Sequence, residues 1–82
     1  MKINVSNLGN HITDASLDAI FSTYGEVTFS QVILDNSTGN SSGIGSVEMP
    51  NNKEAFHAIS KINGAVINGK LIEAKESASI KD

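Results

Sequence analysis

The run Gly64-Ala65-Val66-Ile67-Asn68-Gly69-Lys70 has the spacing of a phosphate-cradling loop, G-x-x-x-x-G-K. In such a loop the backbone wraps a nucleotide phosphate, the lysine neutralises it, and a following Ser or Thr meets magnesium. Here the following residue is Leu71. The surroundings also read helix, turn, strand, where that chemistry needs strand, loop, helix. The run is a turn before an edge strand. His11 and His57 are the groups suited to proton transfer or metal ligation. Neither has a nucleophile or a ligand cluster near it in sequence, and the chain has no cysteine to supply a thiolate. The carboxylates are scattered, with no pair spaced for acid–base work on one element. Both histidines therefore read as solvated or structural. No catalytic residue, metal ligand or cofactor is expected, and the chain is not expected to be an enzyme.

Composition narrows the binding chemistry. The 82 residues allow one domain. A chain of this size buries only about 60% of its unfolded surface, so its core is modest. Without cysteine it must fold on packing alone, which suits a cytoplasmic location. No apolar run approaches the roughly 20 residues that span a bilayer, and "MKINVSNLGN" lacks the apolar stretch of a secretory signal. Net charge is −3, and all six basic residues are lysines. There is no guanidinium to stack on a base or fork onto a phosphate. Broad electrostatic capture of nucleic acid is disfavoured, although a local basic patch is not.

The elements that must position any site follow from periodicity. "KINVS" alternates, with Ile3 and Val5 on one face and Lys2, Asn4 and Ser6 on the other. Thr13 suits a helix N-cap and Asp14 the positive end of the helix. Leu17, Ile20, Phe21 and Tyr24 then recur at helical spacing, and Gly25 is expected to end that helix. Residues 27–34 are rich in β-branched and aromatic types, a second strand. A Gly/Ser/Asn loop follows, then an alternating strand over 43–49 closed by Pro50. Asn51 and Glu54 form a capping box for a second helix with the stripe Ala55, Ala58, Ile59 and Ile62. Asn63-Gly64 stops that helix. A turn at Asn68-Gly69 leads into a last strand over 70–76. The expected fold is α+β, ferredoxin-like βαββαβ: a four-stranded antiparallel sheet backed by two helices, with one sheet face left open. The domain is expected to span 1–78, with 79–82 a frayed tail.

At this point the residues resemble a family. "INVSNL" is similar to the first-strand hexamer of the RNA-recognition motif, aliphatic-aromatic-aliphatic-x-Asn-Leu. "SGIGSVEM" (42–49) is similar to its third-strand octamer, basic-Gly-aromatic-Gly/Ala-aromatic-aliphatic-x-aromatic or Met. "TDASLDAIFSTYGEV", "TGNSSG", "VEMPNNKEAFHAI" and "INGAVINGKLIEAKE" fall at the family's spacing too. The resemblance covers residues 2–78 and is to the short single-domain bacterial type. It implies single-stranded RNA as partner, bound on the open sheet face by aromatic rings that stack on splayed bases.

The departures are of one kind. The stacking positions hold Asn4, Ile44 and Ser46, and the basic position that opens the octamer holds Ser42. The loop that is often Arg/Lys-rich carries Asn36, Asn40 and Ser42, and a frequently basic last-strand position is Glu73. Each stacked base contributes about 1–3 kcal/mol, so three lost rings remove at least about 3 kcal/mol, roughly two orders of magnitude in affinity. Two readings follow. In the first, the face is a weak or atypical RNA binder using Lys2, Asn4, Ser6, Gln31, Ser42, Ile44, Ser46 and Lys75, with Phe29 as a relocated platform. In the second, the face is a protein-contact or self-association surface built on Phe29, Ile33, Ile44 and Leu71. Strand alternation points Phe29 outward, while aromatic burial would draw it into the core. The sequence leaves that choice open. No membrane partner is expected.

Overall fold

The computed structural model describes residues 1–9, 11–35, 37–39, 41–67 and 69–77. The residues expected to form the tail, 79–82, and Asn36, Asn40 and Asn68 of the expected loop and turn lie outside these. Strand β1 (Lys2–Ser6) leads to helix α1 (Asp14–Ser22), then β2 (Phe29–Leu34), β3 (Ser41–Glu48) and α2 (Asn52–Ile62). Short strands β4 (Val66–Ile67) and β5 (Lys70–Leu71) precede β6 (Glu73–Glu76). The main sheet is antiparallel, in the order β2-β3-β1-β6. Both helices lie on one side, α1 packed on β2 and β3, α2 on β6. This is the ferredoxin-like arrangement.

Local sequence explains where each helix begins. Thr13 is extended and its Oγ1 accepts from the Ser16 N–H at 3.2 Å, a true N-cap. Asn51 does the same for α2, its Oδ1 accepting from the Glu54 N–H at 3.0 Å. The expected capping box is only half made, because Glu54 Oε1 accepts instead from the Glu26 N–H at 3.3 Å. That contact corrects the reading of Gly25. Helix α1 stops at Ser22 with Thr23 as its cap. Gly25 is small because Glu54 crosses it: a Cβ there would lie 2.6 Å from Glu54 Cβ.

The core forms where sheet alternation meets the two helix stripes. Ile3, Val5, Val32, Val47 and Ala74 face inward against Leu17, Phe21, Ala55, Ala58 and Ile62, and all are buried. Leu8, Ile12, Met49 and Ile72 close the margins from loops and strand ends. Gly45 lies in this inner layer directly under α1. A methyl group at Gly45 would sit 2.8 Å from Leu17 Cδ2 and 3.1 Å from Leu8 Cδ1. Forcing it in is an overpacking defect, which costs about 1–3 kcal/mol. Gly45→Ala should therefore lower the urea midpoint by that equivalent with the slope unchanged. A wild-type midpoint would refute this packing.

The expected last strand over 70–76 is corrected: it is two strands in two sheets. Lys70 and Leu71 pair with Ile67 and Val66 in a separate ribbon, and only Glu73–Glu76 joins β1. The handover is at Ile72, which is fully buried. Its N–H donates to Ala65 O at 2.8 Å, and its carbonyl accepts from the Gly64 N–H at 2.7 Å. Asn7 braces the ribbon. It holds a left-handed backbone (φ 63°), which Asn tolerates better than most residues, and its Nδ2 donates to Leu71 O at 2.7 Å.

Candidate nucleic-acid interface

Because the helices cover one side, every second residue of the four strands faces the open side. Register sorts those residues into rows across the sheet. One row is Phe29–Glu48–Lys2. The next is Gln31–Ser46–Asn4–Lys75. Beyond it Ile33 stands opposite Ile44, and Ser6 opposite Glu73. Thus Lys2, Asn4, Gln31, Ser46 and Lys75 are brought together on one surface. Phe29 belongs to it as well, and the residue is 46% exposed. Inward alternation falls on Ser30, whose Oγ donates to Asp14 O at 3.2 Å.

The polar side chains of the sheet divide by row. Ser6 Oγ donates to Glu73 Oε1 at 3.3 Å, and Ser42 Oγ donates to Ile33 O at 2.8 Å. Both hydroxyls are thus engaged inside the protein. Ser42 sits at the irregularity where the β2–β3 register shifts between Ile33 and Leu34. The side chains of Asn4, Gln31 and Ser46, by contrast, make no hydrogen bond within the protein among the described residues. Two carboxamides and a hydroxyl, each able to donate and accept, therefore line the middle of the face, ending at the Lys75 ammonium.

The apolar candidates are placed differently from one another. Ile33 and Ile44 are paired and half-exposed, with Leu34 exposed beside them. Leu71 was expected to extend this patch from the last sheet strand. It lies instead in the β4–β5 ribbon, outside the four-stranded sheet. The free edge of β2 is blunted: Asp14 Oδ1 accepts from the Val32 N–H at 2.7 Å, and the register shift bends the strand end.

Charge on the face is mixed. Glu48 stands between Lys2 and Phe29, and Glu73 stands beside Ser6. Outward alternation from Ile44 makes Glu48 a face residue, and the register sets it opposite Phe29. The histidines lie elsewhere. His11 is an exposed loop residue, and the His57 ring leans on Tyr24 at 5.5 Å between centroids on the helix side. Among the described residues no three His, Asp or Glu converge as a metal-binding group. No described helix is long and apolar enough to cross a membrane.

Comparison with known proteins agrees with this geometry. Residues 3–73 match the family described as RNA recognition motif. The "Putative RNA-binding protein RbpB" of Nostoc sp., a cyanobacterium, is 35% identical over 82 residues, covering 100% of this chain and 80% of the relative. The chloroplastic 28 kDa ribonucleoprotein of Nicotiana sylvestris is 35% identical over 71 residues. That alignment takes in 87% of this chain but 26% of the tobacco protein, so the chain spans about a quarter of that relative's length. The crystal structure of RNA Binding Protein PG1 superposes with a TM-score of 0.92 at 33% identity, over 100% of this chain and 99% of that one.

Proposed function

The chain belongs to the RNA recognition motif family, and from that premise we propose that it is a cytoplasmic binding domain, not an enzyme, that holds single-stranded RNA weakly on its open sheet face. One observation carries this reading. In the central row Gln31–Ser46–Asn4–Lys75, no polar side chain has a partner inside the protein among the described residues. Groups of that kind can meet base edges and a phosphate without first breaking an internal bond. The names of the RbpB relative, "Putative RNA-binding protein", and of the PG1 structure, "RNA Binding Protein", support the same ligand class. The mode differs from the family's usual one, because rings are missing at Asn4, Ile44 and Ser46. Among the described residues Phe29 is the single ring on the face, at the end of a neighbouring row. Affinity should lie at about 0.1 mM or weaker, if a member with rings binds at about micromolar strength.

Fluorescence anisotropy of a labelled random single strand tests this. Binding should weaken as salt rises, because Lys2 and Lys75 replace counterions on phosphate. Phe29→Ala should weaken it further, by about 1–3 kcal/mol if the ring carries a base. Binding that ignores both salt and Phe29 would overturn the assignment to this face.

The Ile33–Ile44 pair supports a second reading, a protein-contact or self-association surface on the same scaffold. Its mark would be a tumbling time that shortens on dilution, with strand amides unmoved by RNA.

A further inference from the structure

The row Phe29–Glu48–Lys2 sets a ring, a carboxylate and an ammonium side by side across three strands. Directly opposed residues of antiparallel strands have Cβ atoms about 4.5–5.5 Å apart. A base lying on the Phe29 ring therefore presents its edge to Glu48, and its phosphate can reach Lys2. The Glu48 carboxylate is free for that role. Among the described residues it makes no ion pair and no hydrogen bond, even with Lys2 opposite. Gln31 and Ser46, equally unengaged, stand in the adjoining row. Glu73, the other carboxylate of the face, already accepts from Ser6.

A carboxylate can only accept. It complements an amine on a base edge and repels a carbonyl there. Cytosine and uracil share one ring size and differ at this edge: cytosine offers an N4 amine, the donor that Glu and Asp side chains read, where uracil offers the O4 carbonyl. We propose that Phe29, Glu48 and Lys2 form a single-nucleotide site that selects bases bearing an exocyclic amine, and so cytosine over uracil. Phe29 is the platform, Glu48 the selecting group and Lys2 the phosphate partner. The inference rests on the sheet face binding RNA. It also places one recognition site in the row beside Asn4 and Ser46, on residues other than the three where rings are missing.

The test is a pair of amide-shift titrations at neutral pH with oligocytidylate and oligouridylate of equal length. Native protein should prefer oligocytidylate about tenfold, the difference made by one hydrogen bond to a charged group. Glu48→Gln should bring the ratio close to one, because a carboxamide can turn to donate to O4. Both oligonucleotides should still shift strand amides in that variant. Glu48 is exposed, so the variant should keep the native amide dispersion. Equal affinity, or preference for oligouridylate, with strand shifts present would overturn the selection and leave the RNA-binding reading standing. A ratio unchanged by Glu48→Gln would remove Glu48 from the site. Strand amides unmoved by either oligonucleotide would remove both the site and the reading beneath it.

Discussion

The triple variant Asn4→Tyr, Ile44→Phe, Ser46→Phe should bind single-stranded RNA about a hundredfold more tightly than the native chain. The three positions lie on the open face, in two neighbouring rows of one sheet, and none belongs to the buried core. Each restored ring supplies a base-stacking platform worth about 1–3 kcal/mol, and three at the low end give about 3 kcal/mol. Stability should change little, since exposed strand positions accept aromatic residues well. The gain should appear as slower dissociation, measurable by anisotropy against the native chain at matched salt. A variant that folds but gains less than about fivefold would mean that missing rings are not what weakens this face.

Phe21→Ala should bring the domain close to unfolding. Phe21 is fully buried and lies on the core stripe of α1 with Leu17. Removing a buried aromatic side chain costs about 3–5 kcal/mol. Native domains have about 5–15 kcal/mol in total, and at the low end of that range, where a chain of this size belongs, most of the margin is lost. Ile44→Ala, on the exposed face, should cost under about 1 kcal/mol. Urea melts of the two variants give the comparison directly. Similar losses at both positions would contradict the division into a core face and an open face.

Much of this architecture is legible from short-range physics. Two-residue alternation in "KINVS" and in 43–49 assigns each strand's inner and outer faces, and the register then joins the outer ones into rows. Thr13 and Asn51 announce their helices because a cap is a local hydrogen bond. Other features depend on contacts that sequence does not carry. The run 70–76 holds no Gly or Pro, and the adjacent apolar pair Leu71-Ile72 does not by itself say that the chain leaves one ribbon for another sheet there. That handover is made by hydrogen bonds to Gly64 and Ala65. Gly25 looks like a helix stop, but its size answers to Glu54 from a different helix. Phe29 stays ambiguous in sequence because an aromatic side chain suits core and face alike. The β2–β3 register and the Ser30 bond to Asp14 place it outward. The open middle row could be drawn from alternation, but which of its polar side chains are unengaged could not. Ser6 and Ser42 share the composition of that row and are bonded internally, while the side chains of Asn4, Gln31 and Ser46 are not, among the described residues.

The central claim is that the open face itself holds the RNA, through the Gln31–Ser46–Asn4–Lys75 row and its neighbours. The most direct test is an amide-shift map of the labelled domain titrated with random single-stranded RNA at low salt. Shifts should concentrate on β1, β2, β3 and β6, centred on Asn4, Gln31 and Ser46, and should shrink as salt is added. Strand amides that stay unmoved at millimolar RNA, or shifts confined to the helix side around Tyr24 and His57, would contradict it.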